Sequence, residues 1–309
     1  MAFTTNLSGT TELNDSIVQE YDQQFILSYA EEGVASQFAT YKKEISSKSI
    51  DFTRYDQLAL ATTALTETDD VTSEAMVDNK VTLTPEEIGN VVTTTKLANL
   101  QTGGKADLAA ARLVGINAGR TKNKLAQLAL DASTNVLYAN DATATANIDA
   151  ADIMGSSELN KAYNKLSRAS VPGVADGMYV ALMHDDVIHD IRDSASAGEW
   201  QNVLSYKSPE QVLRNEVGMF RGFIIIRDNQ CLVSADAGSG TVDVYKSHFL
   251  GFNALGLAES MPVEMRATGP FDKLSRFLNI GHLGVYKHLI VQQDALWTYE
   301  SASSVGANA

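Results

Sequence analysis

Between Asp56 and Asn79 the chain carries six carboxylates, on Asp56, Glu67, Asp69, Asp70, Glu74 and Asp78, and neither Lys nor Arg. Its apolar residues, Leu58, Leu60, Leu65, Val71 and Met76, follow neither a strand period nor a helix period, so the stretch has no core of its own. Strand signals bracket it. Ser49–Tyr55 alternates, with Ile50 and Phe52 on one face and Asp51 and Thr53 on the other. Lys80–Thr84 sets Val81 and Leu83 on one face, and the signal resumes beyond Gly89 as Val91-Val92-Thr93-Thr94-Thr95. A connection this long is functional or disordered far more often than it is filler. Strands of about 15 residues would carry it roughly 50 Å from the body of the molecule. The pattern alone leaves two readings open, a loose surface loop and an arm lying on neighbouring copies of the chain.

The rest of the 309 residues, 44% hydrophobic, is ample for a large core in one or two domains. Five prolines and no internal repeat leave no Pro-rich linker. The ends, Ala2–Ser16 and Ser301–Ala309, are low in complexity and read as arms or tails. Ile17–Phe38 has mixed helical spacing and predicts short helices. Met1-Ala2-Phe3-Thr4-Thr5 lacks the pattern of a secretory signal, and no run approaches the roughly 18 apolar residues of a membrane span. The expectation is a soluble chain made in a cytoplasm, with no membrane partner. A net charge of -14 repels nucleic acid and anionic lipid on average. One cysteine, Cys231, excludes an internal disulfide framework and a multi-cysteine zinc site, and reads as a buried thiol on a strand.

Gly103-Gly104 opens the strongest helical signal, Lys105 to about Ser133. Ala111, Val114, Ala118, Thr121, Leu125, Leu128 and Ala132 form its apolar stripe over about 40 Å. Arg112, Arg120, Lys122 and Lys124 lie off the stripe against Asp107 and Asp131, which leaves a net positive helix in an acidic protein. The inter-subunit contact candidates are therefore Asp69, Asp70 and Glu74 on the arm, with Arg112, Arg120, Lys122 and Lys124 on the helix. A merely solvated helix face is the alternative.

Beyond Asn135, short helices and strands mix without a βαβ rhythm, so the class is α+β. Ser156–Ser170 predicts a helix capped by Ser156-Ser157, Met178–Met183 a buried strand, and Asp185 or Asp186 the start of a helix to Ile191. Gly222–Arg227 and Thr241–Tyr245 read as strands, and Leu274–His282 and Tyr286–Tyr299 as a closing pair of long ones.

The richest site for chemistry is His184-Asp185-Asp186-Val187-Ile188-His189-Asp190, since His-Asp pairs can hold a metal ion that activates water. His184 and His189 are five apart, however, and five residues put them on different sides of a helix. An Asp capping that helix is the plainer reading. Gly238-Ser239-Gly240 and Gly103-Gly104-Lys105 lack phosphate-loop spacing. His248, His282 and His288 have no partner at ligand spacing, no Gly-x-Ser-x-Gly elbow occurs, and basic residues are not clustered with aromatics. No catalytic, cofactor or metal site is expected.

Several segments, weak singly, are specific in their order. They are Leu83-Thr84-Pro85-Glu86-Glu87-Ile88-Gly89-Asn90-Val91-Val92 before the long helix, Ser133-Thr134-Asn135-Val136-Leu137-Tyr138-Ala139 at its end, and Val180-Ala181-Leu182-Met183-His184-Asp185-Asp186-Val187 as a strand-to-helix step. Asn215-Glu216-Val217-Gly218-Met219-Phe220-Arg221-Gly222-Phe223, Gly251-Phe252-Asn253-Ala254-Leu255-Gly256 and Gly269-Pro270-Phe271-Asp272 complete the set. Over about residues 15 to 300 the chain resembles the major capsid proteins of tailed bacteriophages, whose shell fold is shared with herpesviruses. Within them it is similar to the branch that includes many actinobacteriophage capsids.

The resemblance implies an N-terminal arm (1–44), an extended hairpin loop with its base strands (45–96), and a peripheral domain with a spine helix (97–134 plus 262–300). An axial domain (135–261) and a C-terminal tail (301–309) follow. It implies hexamers and pentamers of the chain itself, closed into an icosahedral shell of the virion and assembled in the host cytoplasm. The genome's DNA would be enclosed without sequence-specific binding. A portal is an implied partner, and since no scaffold-sized segment precedes the first arm, assembly would need a separate scaffold protein or none. An encapsulin-like compartment is the alternative on the same fold, and a metal-dependent phosphohydrolase using His184, Asp185 and His189 the alternative on chemistry.

Overall fold

The computed structural model describes residues 25–26, 29, 34–44, 48–56, 58–65, 67–68, 70–103, 105–140, 142–175, 177–193, 216–269, 273–274 and 276–305. The start to Ser16, most of Ile17–Phe38 and the Pro270-Phe271-Asp272 segment lie outside these residues.

Strands β1 (Thr40–Lys43) and β2 (Ile50–Tyr55) precede the acidic stretch, and β3 (Asp78–Leu83) and β4 (Glu86–Thr95) follow it. Helices α1 (Lys96–Gln101) and α2 (Lys105–Asp131) come next, then β5 (Val136–Tyr138), α3 (Ser156–Arg168), β6 (Tyr179–Met183) and α4 (Asp185–Asp193). The remainder is β7 (Glu216–Phe220), β8 (Phe223–Arg227), β9 (Val233–Ser234), β10 (Val244–Leu250), β11 (Leu255–Thr268), β12 (Phe277–Ile290) and β13 (Leu296–Ser301).

These strands make two sheets and a separate hairpin. One sheet has the order β1-β11-β12-β4; the other has the order β5-β13-β10-β6-β8-β7, with β9 beside β10. The α+β class is as expected. Two strand assignments are corrected. Leu274–His282 and Tyr286–Tyr299 are not a pair of strands, because β12 runs unbroken through Gly284 and the chain turns only at Gln293–Ala295. The strand after that turn, β13, pairs with β10 and β5 in the second sheet. β12 is flanked by β4 and by β11, and the β11 register shifts between Glu259 and Met261 and again between Met261 and Glu264. Pro262 lies within the second shift. It has no N–H for the ladder, and the bulges accommodate it.

Helix α2 is shared by both layers. Ala110, Ala111, Val114 and Ala118 pack with Ile280, Val263, Met265 and Leu278 of the four-stranded sheet. Farther along, Ala126 and Leu130 enter the larger core of Leu159, Leu182, Phe223, Phe249 and Tyr299. The first half of the expected stripe is therefore buried. Leu125 and Leu128 are off it, and Asn123, Ala126, Gln127 and Leu130 replace them. A helix that serves two sheets in succession must turn its buried face between them, so one straight stripe fails.

The Arg221-Gly222 turn between β7 and β8 has φ of 49° and 82°, two successive left-handed residues that match a tight hairpin. Gly222 is obligatory on a second count, since a Cβ there would meet the Tyr163 ring at 2.5 Å. Helix α3 begins at Gly155 with no side-chain cap, so Ser156-Ser157 does not cap it as the sequence suggested. Among the described residues no helix is long and apolar enough to cross a membrane.

Candidate interaction surfaces

The base of the acidic arm is a small, well-defined unit. β2 and β3 pair antiparallel from Ile50↔Leu83 to Tyr55↔Asp78, and Ile50, Phe52 and Leu83 pack on Ala258 beside Leu289 and Val291. Gly256 makes room for this seat, since a Cβ there would lie 2.5 Å from Val291 Cγ2 and 3.4 Å from the Phe52 ring. The Asp51 carboxylate accepts from Thr82 Oγ1 at 2.6 Å and from Lys80 Nζ at 3.0 Å, and these two bonds hold its pKa below the usual range. Lys42 Nζ donates to the Asp51 carbonyl at 2.6 Å and ties β1 to the hairpin.

Past Tyr55 the ladder ends with Asp56 N–H donating to Val77 O at 3.0 Å. The strands are six residues long, not about 15, and the described residues of the arm beyond them contain no strand. Among the described residues its two limbs meet again where Ala59 N–H donates to Glu74 Oε1 at 3.0 Å. The turn at Glu67-Thr68 lies between those limbs. Leu58, Leu60, Leu65, Val71 and Met76 are 56% to 87% exposed.

The acidic candidates separate accordingly. Glu74 braces the arm itself, Asp70 accepts its neighbour Val71's N–H at 2.8 Å, and Asp69 lies outside the described residues. The basic candidates separate too. Lys122 is half-buried and pairs with Glu259 at 3.2 Å, with its ammonium over the Tyr29 and Tyr286 rings, so it is engaged within its own subunit. Lys124 donates to the Gln230 carbonyl at 3.3 Å, while Arg112 and Arg120 are exposed.

The arm and the helix lie on opposite faces of the four-stranded sheet. On β12, the even-numbered Leu278, Ile280, His282 and Tyr286 face α2; His282 meets Asn117 at 3.1 Å and Tyr286 lies under Lys122. The odd-numbered Leu289 faces the hairpin seat.

The His-Asp cluster is structural in its contacts. Asp186 N–H donates to His184 Nδ1 at 3.3 Å, so His184, and not an Asp, caps α4. Asp185 pairs with Arg227, Asp186 accepts from Tyr245 Oη at 2.8 Å, and Asp190 accepts from the Ser304 backbone and hydroxyl. Burial and the Asp186 carboxylate push the Tyr245 phenol far above its ordinary value. His189 is exposed on another side, at 3.8 Å from Asp190 Oδ1. The three residues a phosphohydrolase would need thus do not converge. Among the described residues no group of three or more His, Cys, Asp or Glu is placed to hold a metal ion.

One polar centre goes beyond the sequence-based expectations. Asp228, 3% exposed, accepts from Asn123 Nδ2 at 2.9 Å to each oxygen, from Gln127 Nε2 at 2.6 Å and from Gln230 N–H at 2.9 Å. Asn123 Oδ1 accepts in turn from Ala35 N–H at 2.7 Å. Its signal in the sequence is two amides four apart, Asn123 and Gln127, on a helix face whose other buried residues nearby are Ala118, Gly119, Ala126 and Leu130. Cys231 sits beside this centre in the turn after β8, not on a strand, and burial pushes its thiol up.

No family model and no curated protein sequence matches the chain. Solved structures do. The capsid of Ralstonia phage GP4 superposes with a TM-score of 0.72 at 14% identity, over 91% of this chain and 92% of that one. The head structure of Helicobacter pylori bacteriophage KHP40 gives 0.65 at 11%, over 88% of each. The virus-like particle from Pyrococcus furiosus gives 0.57 at 11%, over 92% of this chain and 99% of that one. These likenesses do not single out an actinobacteriophage branch. At such identities they establish architecture, and the architecture of this chain is the capsid fold of the tailed bacteriophages.

Proposed function

We propose that this chain is a structural shell protein, the major capsid subunit of a tailed phage, which assembles as hexamers and pentamers around a packaged genome. The observation that carries the reading is the arm. A limb seated firmly at its base and covered with exposed Leu, Val and Met beyond it has its apolar surface unused within its own subunit. The capsid fold supplies the reason, since many modest contacts repeated by symmetry close a shell. The peripheral part is the four-stranded sheet with the first half of α2, and the axial part is the seven-stranded sheet.

The arm is a contact for a neighbouring copy, made through Leu60, Leu65 and Met76 together with Asp70 and Glu74. Its pairing with Arg112, Arg120 and Lys124 of that neighbour is disfavoured by the geometry. Copies in a single-layered closed shell all turn the same face outward, and arm and helix occupy opposite faces of the sheet. A portal, a separate scaffold protein, assembly in a host cytoplasm and residence in the virion follow from the same reading.

Expression of the chain followed by electron microscopy tests it. Closed particles of uniform size are expected, alone or with a scaffold partner; a chain that stays monomeric at high concentration under both conditions refutes the proposal. The match to the Pyrococcus furiosus virus-like particle supports a second reading, a compartment of encapsulin type. Particles holding nucleic acid favour the phage capsid, and particles copurifying with an enzyme favour the compartment.

A further inference from the structure

The described residues before β2 make a strap that crosses between the two sheets along α2. Phe25 and Tyr29 pack with Ala110, Ala111, Val114 and Ile280 against the four-stranded sheet. Val34 and Ala35 instead enter the larger core with Ala126 and Leu130, and Ala35–Phe38 forms one 3-10 turn there. β1 then returns to the four-stranded sheet, pairing parallel with β11 from Thr40↔Gly256 to Lys43↔Glu259.

Two adjacent residues of α2 tie this strap to both sheets. Successive side chains on a helix diverge by about 100° around its axis, so neighbours in sequence can serve different layers. Asn123, 1% exposed, accepts the Ala35 N–H at 2.7 Å through Oδ1 and donates through Nδ2 to Asp228 at 2.9 Å. The Asp228 N–H donates in turn to the Met183 carbonyl at the end of β6, at 2.9 Å. Bonds thus run from the strap through the helix into the seven-stranded sheet. Lys122 serves the other sheet. It pairs with Glu259 of β11 at 3.2 Å and sets its ammonium 5.8 Å from the centre of the Tyr29 ring. Glu259 also accepts from Tyr41 Oη of the strap at 3.0 Å, and Thr40 Oγ1 donates to Asn253, between β10 and β11, at 2.5 Å.

The chain itself passes between the sheets where α2 leads into β5, β10 into β11 and β12 into β13. Short connections at element ends are where hinge rotations are absorbed, so they do not by themselves fix the angle between the sheets. The strap does oppose such a rotation. Its segment from Ala35 to Tyr41 is short and hydrogen-bonded at both ends, to groups that belong to different sheets. We propose that the strap is a conformational lock, which holds the angle between the two sheets by clasping one through Asn123 and Asp228 and the other through Glu259. The rival is a strap that only covers α2 and braces nothing. The lock takes its consequence from the shell reading, since copies that close a shell need a set shape, but it is a property of the single subunit and is measured there.

The test puts one spin label on each sheet, at the exposed positions of V91C and V233C in a C231A background, and measures their separation in unassembled subunit by pulsed electron paramagnetic resonance. A35P removes the N–H that Asn123 accepts, and Y41F removes the hydroxyl that Glu259 accepts. The parent is expected to give one narrow distance distribution. A35P should broaden or shift it, and should speed amide exchange of Thr40–Lys43 by at least about tenfold, because local opening follows the loss of a buried hydrogen bond. Y41F should act in the same direction by a smaller amount. Protection of the β10 and β13 amides verifies that each variant is folded, and Y41F decides if A35P is not. Faster strap exchange at an unchanged distance distribution overturns the proposal in favour of the rival. A folded variant in which neither readout moves, or a broad distribution in the parent, overturns it too. Electron microscopy of the parent chain reports separately on the shell reading.

Discussion

At Asp228 a buried carboxylate is held by amide donors from two turns of α2, and through Asn123 the same centre reaches the backbone of Ala35. Removing one partner strands the others, because a buried acceptor deprived of its donor keeps its full desolvation cost. Asn123→Ala is therefore expected to lower unfolding free energy by about 3 kcal/mol, read from urea melts, although it deletes no apolar packing. Three buried histidines shape the response to acid, His282 being lowered by its burial and the other two more strongly. Burial holds His248 at about 4 and His288 at about 3, the latter helped by Lys122, whereas Asp131 and Lys246 act on His248 in opposite directions. Both values lie below the ~6.5 of a free imidazole, so the unfolded chain takes up protons first as pH falls. Their contribution is intact above about pH 6.5 and is lost progressively below it, on the order of 2 to 3 kcal/mol for each by about pH 4.5. Both ring nitrogens of His288 lack a hydrogen-bond partner, so His288→Phe sacrifices no bond and should flatten that slope. Thermal melts at neutral and mildly acidic pH check this, and a wild type equally stable at both would contradict it.

The hairpin base is an element whose anchoring can be separated from the rest of the fold. Phe52→Ala empties its seat over Gly256 and Ala258 and is expected to cost about 3 kcal/mol of local stability. Hydrogen exchange should then show protection lost from Ile50–Tyr55 and Asp78–Leu83, with β10 and β13 amides unchanged. Elements are legible in the sequence where one local rule suffices. The alternation of Ile50 and Phe52 locates the hairpin, and a buried run followed by acids locates the strand and helix around His184. Misreadings arise where a distant partner decides. β12 reads as two strands because its glycines resemble a turn, while β4 and β11 on either side keep it extended. β11 escapes notice because Pro262 breaks the period that its bulges absorb. The second half of α2 misleads because a second sheet takes over its buried face, and Lys122 because Glu259 lies 137 residues away. The arm is recognisable by composition, whereas the spending of Glu74 and Asp70 inside it depends on limb geometry that composition does not carry.

For the whole molecule, the division of labour between a rigid body and an unfinished arm determines where assembly energy resides. The two sheets and α2 have apolar cores of their own that the arm beyond its base does not enter, so substitutions in the arm should leave the subunit's own unfolding untouched. Leu60, Leu65 and Met76 touch little in their own subunit, yet each would release on the order of 1 to 2 kcal/mol if a neighbour covered it. L60S/L65S/M76S is accordingly expected to unfold at the wild-type midpoint while raising the concentration needed for assembly by at least about tenfold, the equivalent of about 1.4 kcal/mol per subunit. The loss recurs at every copy, so it should appear as a sharp threshold in light scattering and not as a gradual decline in yield. Charge tests the same contact from another side. Asp70→Lys alters the arm without touching its brace, whereas Glu74→Lys also removes the acceptor of the Ala59 N–H. The second should therefore impair assembly more than the first at equal charge change. Equal effects would make net charge the cause, and wild-type assembly by the apolar triple variant would mean that the arm lies free on the shell, with the closing contacts elsewhere on the body.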